Sequence, residues 1–71
     1  MFWTVLEIQV TKDGAKACIP IIYDDYDQAT AKFFTICASA SVNDLPYHAA
    51  LILSDDGQIV KSEIFDRRTK R

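Results

Sequence analysis

Residues 6–21 read LEIQVTKDGAKACIPI, two apolar-rich runs hinged on Asp13-Gly14. An Asp-Gly pair between such runs is a strong short-range signal for a β-hairpin, because a type I′ turn needs positive φ at both central residues. With Asp13-Gly14 as a two-residue loop, Val10 faces Ala17, Ile8 faces Ile19 and Leu6 faces Ile21, all on one side of the sheet. A three-residue loop with a bulge would shift the pairing by one and set Val10 opposite Lys16. The hydrophobic pattern therefore selects the tight turn.

The same chemistry recurs at Asp55-Asp56-Gly57-Gln58. Taking Asp56-Gly57 as the loop, Leu53 faces Val60, Leu51 faces Ser62 and Ala49 faces Ile64. Between the hairpins the apolar period changes to that of a helix. Asp25 is a good N-cap, Gln28 three residues later completes a capping-box pattern, and Asp24, Asp25 and Asp27 suit the positive end of the helix dipole. Tyr26, Ala29, Phe33, Ile36, Cys37 and Ala40 form one stripe at 100° per residue. Pro46 biases Leu45 away from helical geometry, so the helix is expected over about 26–42.

The order strand, strand, helix, strand, strand predicts an α+β fold. Its expected form is a two-layer ββαββ domain, a four-stranded antiparallel sheet of order 2-1-3-4 with one helix on one face. Pro20 removes a ladder donor and marks strand 2 as an edge. Residues 1–66 are expected to form the single domain and 67–71 a basic C-terminal tail. One helix covers one face of a sheet. If the covered face takes Leu6, Ile8, Val10, Ile19, Ile21, Leu51, Leu53, Val60 and Ile64, the open face holds Trp3, Val5, Cys18, Ile22, His48, Ile52 and Phe65 among others. That mixture contains enough apolar surface to mark an interface.

Composition bounds the rest. The chain has 71 residues, of which 49% are hydrophobic and 25% charged, and a net charge of −2. It is too short for two domains and too apolar for disorder. At this size a single core is marginal, which favours association. No apolar run approaches the ~18–20 residues needed to span a bilayer. The start, MFWTVLEIQV, carries Glu7 inside its apolar stretch and has no basic region before it, unlike a signal peptide. Two cysteines without CxxC spacing, beside one histidine, supply neither a disulfide framework nor a four-ligand zinc site. The expectation is a cytoplasmic chain with reduced thiols, no cofactor and no metal.

Four of the eight basic residues, Arg67, Arg68, Lys70 and Arg71, lie at the C-terminus, leaving four basic against ten acidic residues before them. Such a tail offers a salt-dependent attraction to phosphate, without aromatic interleaving or a second basic patch. His48 lies at the start of strand 3 with Phe65 opposite and Glu63 diagonal, a geometry that allows a His–Glu pair. Cys18 and Cys37 are expected on opposite sides of the sheet. The Asp24, Asp25, Asp27 cluster lacks the loop length, central glycine and terminal glutamate of an EF-hand, and helix capping accounts for it.

Phe2-Trp3, Asp13-Gly14, the stretch from Tyr23 to Ala31 with Phe33-Phe34, and Ser54 to Val60 together resemble in layout a loose class of short proteins. These come from gut Firmicutes, phages and mobile elements. The resemblance covers about residues 2–66, implies the same ββαββ fold and a phage-like or mobile-element origin, and carries no catalytic residue across. Three function classes stay open. The leading one is a non-enzymatic interaction protein, a homodimer or an inhibitor or accessory factor, working through the open sheet face. The second is a nucleic-acid-associated protein using the basic tail, and the third an enzyme centred on His48 and Glu63.

Overall fold

The computed structural model describes residues 1–68. Its elements are β1 (Trp3–Val10), β2 (Lys16–Tyr23), α1 (Tyr26–Val42), β3 (Tyr47–Ser54) and β4 (Ile59–Asp66). The four strands form one antiparallel sheet of order β2-β1-β3-β4, with α1 laid across one face. The α+β architecture, the strand order and the helix span are those read from the sequence.

α1 begins where capping chemistry places it. The Asp25 carboxylate accepts from the Asp27 backbone N–H at 2.8 Å, satisfying one of the free donors of the first turn. Ala29, Phe33, Ile36 and Ala40 are its buried positions, spaced three and four apart, and Cys37 packs beside them. At the other end the Asn43 N–H closes onto Ser39 O at 3.1 Å.

The first hairpin departs from expectation. Gly14 has φ +90°, but no residue other than glycine has positive φ, so Asp13 does not adopt the type I′ geometry. Gly14 N–H donates to Thr11 O at 3.0 Å and Thr11 N–H to Ala15 O at 2.9 Å, a turn followed by a glycine bulge. The Thr11 hydroxyl, bonded to the Asp13 carboxylate, also accepts from Ala15 N–H at 3.2 Å. The extra loop residue shifts β2 by one, so Val10 pairs with Lys16, Ile8 with Cys18, Leu6 with Pro20 and Val5 with Ile21. Because Cys18 to Ile22 is apolar at every position, either register satisfies the pattern, and the bulged turn needs positive φ at Gly14 alone.

The second hairpin carries the same turn, with Gly57 at φ +84°. Here the added residue is absorbed: Leu53 pairs with Ile59, a register shift follows, and Leu51–Ser62 and Ala49–Ile64 then pair as predicted.

The covered face is the opposite of the expected one. The core joins Val5, Ala50 and Ile52 of the sheet to Ala29, Phe33 and Ile36 of α1, with Trp3, Tyr23 and Cys37 packed against it. Trp3 also meets Tyr26, ring centroids 5.4 Å apart. Trp3, Val5, His48, Ile52 and Phe65, expected on the open face, therefore lie on the helix side. Val5, His48 and Ile52 are each no more than 1% exposed. Apolar content misplaces the helix because the polar residues of this face find partners within it.

Candidate interaction surface

The uncovered face is the more aliphatic one. β1 contributes Leu6, Ile8 and Val10, and β3 contributes Ala49, Leu51 and Leu53, with Ile8 opposite Ala49 and Leu6 opposite Leu51. The edge strands add Cys18, Pro20 and Ile22 on β2, then Ile59 and Ile64 on β4. Ile22, Ile59 and Ile64 are 64%, 62% and 57% exposed. Charges on this face are confined to strand ends, Lys16 on β2 and Asp66 on β4. A solvated antiparallel face ordinarily alternates to polar residues, and this one does not.

Of the residues expected on the open face, Cys18 and Ile22 are found there. Their arrival reflects two displacements that cancel: the β2 register slips by one, and the helix sits on the other side. Cys18 is exposed, and Cys37 lies half-buried on α1 against the core, with both thiols free. Burial, then the charge of Glu63, pushes the Cys37 thiol up.

Beneath the C-terminal end of α1 the covered face holds a polar chain that the sequence reading did not assemble. Leu45 N–H donates to Asn43 Oδ1 at 3.2 Å, which turns the Asn43 amide N–H toward His48 Nδ1 at 2.9 Å. That leaves the ring proton on Nε2, where it reaches Glu7 Oε2 at 2.8 Å, and Gln9 Nε2–H donates to the same oxygen at 2.9 Å. Burial raises the Glu7 carboxyl. Hydrogen bonds from His48 and Gln9, with the nearby charge of Lys32, outweigh burial and hold it below the ordinary carboxylate range. Buried polar groups are tolerated when bonded in this way. The signal was present in the sequence, since Glu7 and Gln9 share a face with His48 once β1 and β3 are neighbours. Phe65 lies opposite His48 and Glu63 diagonal to it, as expected, but His48 bonds Glu7 and not Glu63. Lys61, also on this side, places its ammonium 5.9 Å from the Phe34 ring centroid.

The basic end of the chain is partly absorbed into the fold. Arg67, expected to open a separate tail, donates to Ala40 O at 2.8 Å and Leu45 O at 3.1 Å, and its N–H reaches Pro46 O at 2.7 Å. A guanidinium on the last carbonyls of a helix satisfies free acceptors and complements the dipole. Arg68 pairs with Asp66 at 3.0 Å and lies over Tyr47, 4.5 Å from the ring centroid. Both arginines thus bond within the chain, Arg67 at the C-terminal end of α1 on the helix side and Arg68, with 46% of its side chain exposed, beside Asp66 at the rim of the open face. Lys70 and Arg71 lie outside the described residues.

Among the described residues no three His, Cys, Asp or Glu side chains gather as a metal site, and no helix is long and apolar enough to cross a membrane. No protein-family model, curated protein or solved structure matches the chain.

Proposed function

We propose that the chain is a non-enzymatic interaction domain whose open sheet face packs against the same face of a second copy. The observation that supports this reading is the aliphatic surface of β1 and β3, flanked by exposed isoleucines on both edges and bounded by charge only at its ends. Four strands about 4.8 Å apart and eight residues long at about 3.3 Å each give a face of roughly 500 Å². Contiguous apolar patches of more than a few hundred Å² on small proteins usually mark contact sites.

Sheet-on-sheet packing would interdigitate Leu6, Ile8, Leu51 and Leu53 of the two copies, leaving both helices outside. Arg68 and Asp66 would then form part of a polar rim. Sedimentation equilibrium at high micromolar concentration tests the reading. The wild type is expected above monomer mass, and Leu51→Lys, which sets an ammonium in the centre of the face, is expected to halve the mass. A wild-type monomer, or a mass unchanged by Leu51→Lys, overturns self-packing through this face.

A further inference from the structure

We propose that the free edge of β4 pairs antiparallel with the β4 edge of a second copy, about a two-fold axis at Ser62. β4 is an outer strand of the sheet, with β3 on one side and no strand of the described chain on the other. Its outward backbone groups are therefore a template for one more strand.

The sequence of the strand limits what that partner can be. A two-fold pairing sets one residue opposite its own copy, and three residues compete for that place in the middle of β4. Lys61 or Glu63 there would meet its own charge, which destabilises an antiparallel pair. With Ser62 at the centre, Lys61 of each copy faces Glu63 of the other, and Val60 faces Ile64. The run Val60-Lys61-Ser62-Glu63-Ile64 is complementary to itself when read backwards. Lys61 and Glu63 lie on the helix side through their pairing with Ile52 and Ala50, while Ser62 pairs with Leu51 on the open side. The two ion pairs would therefore form beside the helices and leave the aliphatic face uninterrupted.

The opposite edge is built differently. β2 carries Pro20, which has no N–H to offer a continuing ladder, so growth is discouraged at one edge and invited at the other. Area points the same way. A single face offers a partner a flat footprint of roughly 500 Å². Edge pairing joins two open faces into an eight-stranded sheet of roughly 1,000 Å² per side, counted from the same strand dimensions. In the area argument this inference rests on the proposed face packing; the charge argument is independent of it. Together they describe a tetramer, two edge-paired dimers stacked face to face.

The test is the mass of the full chain by sedimentation equilibrium, with circular dichroism confirming the fold of each variant. Wild type is expected as a tetramer and Leu51→Lys as an edge-paired dimer. In that background Lys61→Glu or Glu63→Lys alone should give a monomer, and the two together should restore the dimer. Independently, Ser62→Cys in a Cys18→Ser chain should cross-link to a covalent dimer on mild oxidation, while Lys61→Cys and Glu63→Cys should not. A wild-type dimer that Leu51→Lys dissolves to monomer overturns the edge proposal and leaves the face reading standing. A dimer untouched by Leu51→Lys but dissolved by either charge reversal supports the edge and removes the face. Charge reversals that change no mass, a double reversal that fails to restore it, or equal cross-linking from all three positions would each overturn the Ser62-centred pairing.

Discussion

The two faces of the sheet divide polarity against intuition. The face under α1 carries Glu7, Gln9, His48, Lys61 and Glu63 beside Val5 and Ile52, whereas the face without a helix is mostly aliphatic, with Thr4 and Ser62 within it and charge only at its ends. The covered face works because its polar groups bond one another or sit at its margin. Ala50 and Ala29, both essentially buried, mark where helix and sheet pack closely. The open face has no such internal partners and needs none, since aliphatic carbon asks only to be removed from water. A helix thus need not settle on the more apolar side of a sheet when the other side can close a hydrogen-bonded chain.

The sharpest way to break this contrast uses adjacent residues of β3. Ile52 is fully buried in the core, and its neighbour Leu51 points to the open side. Ile52→Ala should lower the stability of the monomer by about 2–5 kcal/mol through lost transfer energy and a residual cavity. Leu51→Ala should cost less than about 1 kcal/mol when the chain is held monomeric by dilution. Urea titration of both variants measures the difference. Equal costs, or a larger one at Leu51, would mean the helix lies on the other face.

What the residues disclose in advance follows from how many physical signals agree. At α1 the cap, the 3.6 period and Pro46 all point to one span. For the strand order, Pro20 and the antiparallel geometry agree. At the first hairpin two signals conflict, and the aliphatic pattern is uninformative because Cys18-Ile19-Pro20-Ile21-Ile22 is apolar at every position. Either register satisfies it, so the decision falls to the φ preference of Asp13. In the second hairpin the same turn leaves Leu51–Ser62 and Ala49–Ile64 as expected because the bulge beyond Leu53 takes up the extra residue. The buried chain from Asn43 through His48 to Glu7 depends on which face α1 covers, a tertiary choice that periodicity within each strand does not contain.

Titration sharpens the comparison at an intermediate scale. Glu7, on the covered face, has its carboxyl held below the ordinary range. A carboxylate lowered in the folded state contributes stability that is complete above its unfolded pKa and is lost as pH falls through the lowered folded value. Glu7→Gln removes that contribution, so the variant should be less stable than wild type by about 1.5–3 kcal/mol near neutrality, the range for hydrogen bonds to a charged group. The gap should close progressively as pH falls below the ordinary carboxylate value. Asp66, at the rim of the open face, is also lowered, by its hydrogen bond with Arg68, but it is solvated. Asp66→Asn should open a much smaller gap, because exposed ion pairs are screened. Urea midpoints across the acid range test both, and a pH-independent gap at Glu7→Gln would contradict the network.

The smallest effect distinguishes the faces without disturbing either. Thiol reagents attack the thiolate, so exposure and a low pKa both speed the reaction. Cys18 is exposed on the open face, while Cys37 is half-buried against the core with its thiol pushed up by burial and by Glu63. A dilute, folded chain should therefore show one fast and one slow thiol in a colorimetric time course, the fast phase disappearing in Cys18→Ser. Raising the concentration should slow the Cys18 phase if the open faces meet, and Leu51→Lys should abolish that slowing while leaving Cys37 unchanged. Two thiols reacting at one rate would deny the difference in burial. A Cys18 rate independent of concentration would confine association, where sedimentation finds it, to the β4 edge, because Ser62-centred pairing leaves β2 as exposed as it is in the monomer.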